Sequence, residues 1–212
     1  LLYYLPLFAP EEMGTLPSFE ERSDFMFIGN FLHEPNWDAL RHLSEDIWPL
    51  IRKSLPEAIL NVYGAYPTQK VMQLHQPKNG FIVHGRVDDA IAVTQNAKVS
   101  LAPIRFGAGI KGKLIEAMVC GTPSVTTSIG AEGMQYNDLW NGAIENTKED
   151  FAQAAVALYL EKEKWNQAQV DGFEIVQQLF IAKNHIPQFN QKIKSIASNL
   201  PVHRSTDFTS SL

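Results

Sequence analysis

A glycine-rich loop near the middle of the chain concentrates positive charge. Residues 90–115 contain four basic side chains and no acidic one, although the whole chain carries a net charge of −5. The basic residues are Lys98, Arg105, Lys111 and Lys113, and the loop glycines are Gly107, Gly109 and Gly112. Glycines let a backbone approach a ligand closely. Cations around such a backbone favour a multiply charged anion, most simply a diphosphate.

The segment after this loop predicts a helix that Gly121 ends. The N-terminus of a helix has unpaired N–H groups and a partial positive charge, so it adds to the attraction for phosphate. Glu116 follows Lys113 by three residues, which puts both on one side of the helix. A carboxylate there is placed to accept hydrogen bonds from ribose hydroxyls. The alternative is that the lysines are solvated and Glu116 only complements the helix terminus.

The same letters partly match two other phosphate-binding motifs. Residues 107–112 read G-x-G-x-x-G, the dinucleotide fingerprint, and Glu132 lies about twenty residues further on. That fingerprint normally follows the first strand of its unit, whereas this one follows the fourth predicted strand. Residues 107–114 are one letter from a P-loop, but Leu114 replaces the Ser or Thr that would bind magnesium. An NAD-type dinucleotide-binding oxidoreductase module therefore stays open as an alternative.

The elements around the loop alternate between apolar strands and helices. Strands are predicted at 25–30, 58–63, 81–84, 98–104, 124–127 and 143–145. Helices are predicted at 35–55, 68–75, 88–96 and after the glycine-rich loop, and 151–196 is mostly helical with a break at Pro187. This alternation predicts an α/β fold, a Rossmann-like three-layer α/β/α sandwich around a parallel sheet. In the strand order 3-2-1-4-5-6, loops 29–34 and 103–113 would face each other at the ligand-binding switch point.

The amino-acid composition limits the class of protein to which the chain can belong. The chain has 212 residues, 45% of them hydrophobic and 19% charged, as expected for a globular protein and not for a disordered one. Cys120 is the single cysteine, which excludes an internal disulfide and fits a reducing cytoplasm. The mild acidity argues against nucleic acid as a partner. We expect residues 1–23, with three prolines, to be a linker from a missing N-terminal domain, 24–200 to be the binding domain and 201–212 a flexible tail.

Six stretches carry a resemblance to a known family. They are FIGNFLHEPNWDAL at 27–40, WPLIR at 48–52, VYG at 62–64, HGRVD at 84–88, APIRFGAGIKGKLIEAM at 102–118 and GTPSVTTSIGAEG at 121–133. Together they resemble the C-terminal, nucleotide-sugar-binding domain of retaining glycosyltransferases with the two-domain GT-B fold, of the glycosyl transferases group 1 type. The resemblance covers about half of the chain in order and at consistent spacing.

The resemblance implies a role for each residue of the matching motifs. Lys113, Arg105 and Lys111 would hold the diphosphate in the loop of Gly107 and Gly109, and Glu116 would hold the ribose. The resemblance thereby assigns catalysis to Lys113, Arg105 and Glu116. In the other two loops, Gly29 and Asn30 would line the phosphates, and the nucleobase would be flanked by Gly85, Arg86 and Val87.

This chain departs from the family pattern at two places. Ala108 stands where many members have the first of two glutamates, so contacts to the sugar ring are in doubt. The Arg and Lys common in the first loop are missing, with Asn30 and Asn36 nearby instead. More of the phosphate charge would then fall on Lys111 and Lys113.

The implied function is the donor-binding half of a hexosyltransferase. It would bind a nucleotide-sugar such as UDP- or GDP-hexose and retain the anomeric configuration, with no cofactor and no obligatory metal. In agreement, the sequence has no D-x-D pair, and the doublet Asp88-Asp89 is expected to begin a helix.

The acceptor would be a glycan or a lipid-linked sugar bound by the missing N-terminal domain, in cell-surface polysaccharide synthesis. We therefore expect the isolated fragment to be inactive. The resemblance leaves open both peripheral membrane association of the full-length protein and a non-catalytic scaffold of the same fold.

Overall fold

A six-stranded parallel sheet with the order β3-β2-β1-β4-β5-β6 forms the centre of the molecule. The computed structural model describes residues 3–11 and 14–200. The strands are β1 (Ser23–Ile28), β2 (Leu60–Tyr63), β3 (Phe81–Gly85), β4 (Ala97–Ala102), β5 (Ser124–Thr126) and β6 (Gly142–Ile144). The predicted strand order is confirmed, and β1 and β4 are neighbours at the switch point.

Helices cover both faces of this sheet, as the alternation of elements predicted. One layer contains α1 (Glu34–His42), α2 (Trp48–Ser54) and α7 (Lys148–Leu160). The other contains α4 (Ala90–Asn96), α5 (Gly112–Val119) and α8 (Lys162–Leu179). The remaining helices are α3 (Gln69–Met72), α6 (Ser128–Ala131) and α9 (Ala182–Ser198). The fold is the predicted three-layer α/β/α sandwich.

The burial of each strand follows its place in the sheet. On β1 and β2 the side chains of Phe25, Phe27, Leu60 and Val62 are fully buried. The Phe25 ring packs edge-on against Trp48 of α2 and stacks on Tyr159 of α7. The central strands β4 and β5 are buried on nearly every residue, because helices cover both of their faces.

The predicted helix 35–55 is a continuous helical run with a local change of winding. A π-helical turn, Leu43–Ile47, separates α1 from α2, and the Trp48 N–H donates to the Leu43 carbonyl. Pro49 follows directly. Proline has no N–H and clashes with the carbonyl four residues before it. A wider turn just before Pro49 relieves this clash.

The C-terminal third is helical, but Pro187 does not break it, so that prediction was wrong. Pro187 lies in the second turn of α9, where it removes a single main-chain donor. The interruptions lie instead at Glu161, between α7 and α8, and at Phe180, after which Ile181 forms a parallel bridge with Ala9. The predicted helix 68–75 is also shorter, since α3 ends at Met72. No helix within residues 3–11 and 14–200 combines the length and hydropathy needed to cross a bilayer.

The end of the segment predicted as a linker is part of the core. Arg22 is 2% exposed, and its guanidinium donates to the carbonyls of Pro17 and Cys120 at 2.9 and 2.8 Å and to the Thr122 hydroxyl at 2.6 Å. It also lies 5.1 Å from the centre of the Trp165 ring. Burial lowers the pKa of Arg22 to about 10. The division of the chain into linker, domain and tail stays a prediction, and residues 201–212 lie outside the described part.

We predict that Arg22→Ala lowers the free energy of unfolding by about 3 kcal/mol, because it leaves buried carbonyls without donors. Urea denaturation followed by circular dichroism measures this change. Lys164→Ala is the control, since Lys164 forms only an exposed ion pair with Glu161. Equal midpoints for both variants would contradict a structural role for the Arg22 cluster.

Candidate functional site

A cavity of about 770 Å³ opens at the carboxyl edge of the sheet. The loops after β1, β2 and β3 form three of its sides, and the first turns of α5 form the fourth. Its lining includes Gly29, Asn30, Asn36, Gly64, Tyr66, Pro67, Arg86, Val87, Lys113 and Glu116. Six of the ten predicted binding residues therefore meet in one cavity: Gly29, Asn30, Arg86, Val87, Lys113 and Glu116.

Two cationic side chains, Lys113 and Arg86, line this cavity, and Lys113 is the one on α5. Its ammonium Nζ donates to Asn36 Oδ1 at 2.7 Å and lies 4.7 Å from the centre of the Phe27 ring. Burial of the ammonium lowers the pKa of Lys113 to about 7, and nearby Glu116 only partly offsets this effect. Lys113 therefore loses its proton more readily than an ordinary lysine, and a polyanion would stabilise its charged form.

Close contacts around Gly29 and Asn36 fix the position of the ammonium. Asn36 is buried, and its amide also donates to the Asn30 carbonyl at 2.9 Å. A Cβ atom on Gly29 would lie 2.9 Å from Asn36 Cγ and 3.0 Å from Lys113 Nζ. Any side chain at position 29 would therefore push Lys113 and Asn36 away.

Glu116 lies one turn further along α5 and is exposed on the same wall of the cavity. Within residues 3–11 and 14–200, no side chain forms a hydrogen bond or an ion pair with its carboxylate. Its oxygens can accept hydrogen bonds from a ligand's hydroxyl groups.

The other two predicted phosphate ligands lie beside the cavity and bind protein groups. Arg105 forms a bidentate ion pair with Asp38 of α1, with Nε and a terminal nitrogen 2.8 and 2.6 Å from the carboxylate oxygens. This pairing lowers the pKa of the Asp38 carboxyl. Lys111 Nζ donates to the carbonyls of Gly107 and Gly109 at 3.0 and 2.5 Å. Both cations hold the loop 103–111 in its present shape.

The remaining predicted glycines shape turns rather than line the cavity. Gly107 and Gly109 have φ values of +115° and +80°, which side-chain-bearing residues rarely adopt. Gly85 ends β3 beside Pro67, and a Cβ there would lie 3.3 Å from Pro67 Cγ. The sequence explained the loop glycines by a close approach to the ligand, but the backbone conformation itself requires them.

Residues 22–161 match the family model described as Glycosyl transferases group 1. The chain belongs to this family. No curated protein sequence matches it. The glycine motif of this glycosyl transferases group 1 domain follows β4, whereas the dinucleotide fingerprint would follow a first strand. Family and topology therefore both argue against an NAD-type module.

Solved structures of GT-B glycosyltransferases share the fold of this group 1 domain. A variant of S. aureus TarM matches with a TM-score of 0.70 at 17% identity, over 87% of this chain and 38% of TarM. The pneumococcal O-GlcNAc transferase GtfA has a TM-score of 0.65 at 15% identity, with 86% and 38% covered. Anabaena HepE has a TM-score of 0.61 at 17% identity, with 85% and 49% covered. This chain thus spans less than half of each solved protein.

Sequence reasoning missed several residues of this group 1 site. Asp38 was not recognised as the partner of Arg105, because 67 residues separate the two. Tyr66 and Pro67 were not predicted to line the cavity, although they closely follow β2, which ends at Tyr63. That position after a parallel strand was the available signal. Tyr66 has a φ of +56° and is 63% exposed, so its ring stands at the rim.

We predict that Asp38→Asn loosens the loop 103–111, because it removes the carboxylate charge that pairs with Arg105. Amide hydrogen exchange in the loop should become about fivefold faster, as expected for a pair worth about 1 kcal/mol. Asp171→Asn on α8 is the matched control, since Asp171 bonds only Gln167 of its own helix. Unchanged exchange in the loop would show that the ion pair does not hold it.

Proposed function

We propose that this domain binds the nucleoside diphosphate of a nucleotide-sugar donor, with UDP as the nucleotide. The observation that carries the proposal is the enclosed Lys113 ammonium, which faces a cavity of about 770 Å³ at the switch point of the sheet. This volume lies within the range typical of small-molecule sites. Membership in the glycosyl transferases group 1 family supports the same function.

The diphosphate is the part of the donor that Lys113 would bind. Among described residues, the ammonium has one hydrogen-bond acceptor, the Asn36 amide oxygen, so two of its three N–H groups can donate to phosphate oxygens. α5 begins at Gly112, and the positive end of its dipole adds to this attraction. Arg105 and Lys111 would support the site mainly by holding the loop, together with Gly107 and Gly109.

The rest of the nucleotide would extend along the cavity away from Lys113. Glu116 would accept hydrogen bonds from the ribose hydroxyls. Arg86 and Val87, which follow β3 at Gly85, would flank the base, with Tyr66 across the rim. The solved structures of TarM, GtfA and HepE each contain UDP. This supports uridine as the base.

The chemistry that we propose is transfer of a hexosyl group with retention of configuration. The bond between the anomeric carbon and the phosphate oxygen breaks, and negative charge grows on the departing diphosphate. The fixed Lys113 ammonium would stabilise this charge, and such a contact is commonly worth about 2.7–4 kcal/mol of activation free energy. Because the protein supplies this cation, we propose that transfer needs neither a divalent metal nor a cofactor.

We propose a glycan or lipid-linked acceptor, carried by a further domain, and a cytoplasmic reaction in cell-surface polysaccharide synthesis. The solved glycosyltransferases support the need for a further domain, since this chain spans less than half of each. On this basis the described domain binds donor and does not transfer sugar alone. A non-catalytic scaffold with the same donor site is the second reading, because Ala108 replaces an acidic residue common in the family.

The first test measures nucleotide binding by calorimetry with UDP, GDP, ADP and NAD in separate titrations. We expect UDP to bind most tightly, and Lys113→Met to weaken it at least about 30-fold, as when a buried charge pair loses one partner. Lys111→Met should give a smaller loss, and Lys53→Met, a change at an exposed lysine far from the cavity, should give none. If none of the nucleoside diphosphates gave a binding heat at millimolar concentration, the donor site would be refuted. Tighter binding of NAD than of UDP would favour an oxidoreductase module.

The same Lys113→Met variant should be as stable as the parent or more stable at neutral pH. The pKa of Lys113 is near 7 in the folded state, below the value of about 10.4 expected in the unfolded chain. The unfolded state therefore binds more protons between these values, and this residue makes the parent more stable as pH rises from about 7 to about 10. Thermal melting over that range should show this rise in the parent and lose it in the variant. A large loss of stability in the variant would indicate a structural role instead.

We also predict that UDP binding takes up a proton at Lys113 at about pH 8–9. The free site has a pKa near 7, and two phosphate groups beside the ammonium would raise it. Affinity should fall as pH rises above 7, and calorimetry in two buffers of different ionisation enthalpy measures the uptake. Lys113→Arg is the control, since arginine stays charged throughout. Equal proton uptake in this variant would place the titrating group elsewhere.

A further inference from the structure

The side chain of Lys113 ends in a recess on the cavity wall. Its Nζ lies 2.7 Å from Asn36 Oδ1 and 4.7 Å from the centre of the Phe27 ring, and a Cβ on Gly29 would come within 3.0 Å of it. Among the described residues, the Asn36 amide oxygen is the one hydrogen-bond partner of this nitrogen. The nitrogen has three bonding directions besides its own chain, so two of them are free for a molecule in the cavity.

The surroundings of this nitrogen favour the neutral amine over the ammonium. Asn36 lies in the first turn of α1 and Lys113 in the first turn of α5, so the positive ends of two helix dipoles lie close to Nζ. Burial acts in the same direction and lowers the pKa of Lys113 to about 7. The cavity is also lined by Glu116, which partly offsets this lowering, and by Arg86, a second cation. A desolvated lysine beside positive charge is the form that acts as a nucleophile.

The same part of the cavity attracts phosphate. The first N–H groups of α5, which begins at Gly112, have no partner inside the helix. Arg86 adds a fixed positive charge to the lining. A small molecule that carries both a phosphate and an electrophilic carbon would therefore be held with its reactive atom beside the amine.

We propose that Lys113 Nζ is a site of acylation by small acyl phosphates. In an acyl phosphate one bridging oxygen joins the phosphorus to the carbonyl carbon. The neutral amine attacks this carbon, a C–N bond forms, and the bond from the carbon to the bridging oxygen breaks. Inorganic phosphate leaves with one proton of the amine, and the product is an amide at Nζ. The step rests on the proposed function only for the phosphate subsite, and it needs no nucleotide.

The position of Lys113 favours a small reagent over an acyltransferase protein. A protein catalyst would have to draw the side chain out of the wall, away from Asn36 and the Phe27 ring. The cavity of about 770 Å³ admits a small acyl phosphate without that movement. An amide carries no charge, so acylation would remove the cation that the proposed donor site uses. Donor binding would then decrease as the concentration of acyl phosphate rises.

The test is incubation of the chain with acetyl phosphate at neutral pH, followed by proteolysis and mass spectrometry of the lysine peptides over time. We expect Lys113 to be acetylated at least about tenfold faster than the exposed Lys53 and Lys78, because more of its amine is neutral. Excess inorganic phosphate should slow acetylation at Lys113 alone, because it competes for the phosphate subsite. With 4-nitrophenyl acetate, which is uncharged, inorganic phosphate should have no such effect.

Asn36→Asp tests the environment of the amine. A carboxylate beside Nζ favours the ammonium, so acetylation of Lys113 should slow at least about tenfold while Lys53 keeps its rate. Asn166→Asp, which adds the same charge at an exposed position of α8, is the matched control and should react like the parent. Circular dichroism of each variant shows that the fold is retained.

Three results would overturn the proposal. They are equal acetylation rates at Lys113 and Lys53, a rate at Lys113 that inorganic phosphate leaves unchanged, and a rate that Asn36→Asp leaves unchanged in a folded variant. None of these measurements uses UDP. Failure of the acylation would therefore leave the donor site standing, and failure of UDP to bind would leave the acylation result as it is.

Discussion

The contact between the Lys113 ammonium and the Asn36 amide is the constraint on which the site depends. An ammonium enclosed by protein loses much of its hydration, and one neutral amide oxygen only partly replaces it. The surrounding residues are arranged to keep it there. Gly29 leaves the space, Asn36 holds its own position through the Asn30 carbonyl, and the Phe27 ring lies beneath the charge. A bound anion would therefore supply the negative charge that the Lys113 ammonium lacks in the free domain.

The three cations in and beside the glycine-rich loop have different roles. Lys113 faces the cavity, whereas Arg105 and Lys111 form bonds that fix the loop to α1 and to its own carbonyls. Fixed dipoles and charges lower a barrier more than mobile ones, because they need no reorganisation during the reaction. The loop cations can thus contribute to the site without touching the ligand.

The sequence predicted the sheet better than the site, because the contacts of the site join residues that are far apart in the sequence. A strand such as β1 shows as an unbroken apolar run at residues 25–28. The strand order around β1 is the usual one for doubly wound parallel sheets. The residues that follow those strands could be located for the same reason. The partners could not: Asn36 and Lys113 are 77 positions apart, and Arg22 reaches Cys120 across 98. Side-chain pairing at that distance leaves no local pattern.

The error at Pro187 has a different origin, namely the weight given to proline as a helix breaker. Pro49 and Pro187 both lie within helical runs. The first is accommodated by a π-helical turn, and the second lies in the second turn of α9, a helix with no buried residue. Neither proline therefore ends the helical run in which it lies. The Ala9 bridge at Ile181 accompanies the end of α8, which no residue of α8 itself indicated.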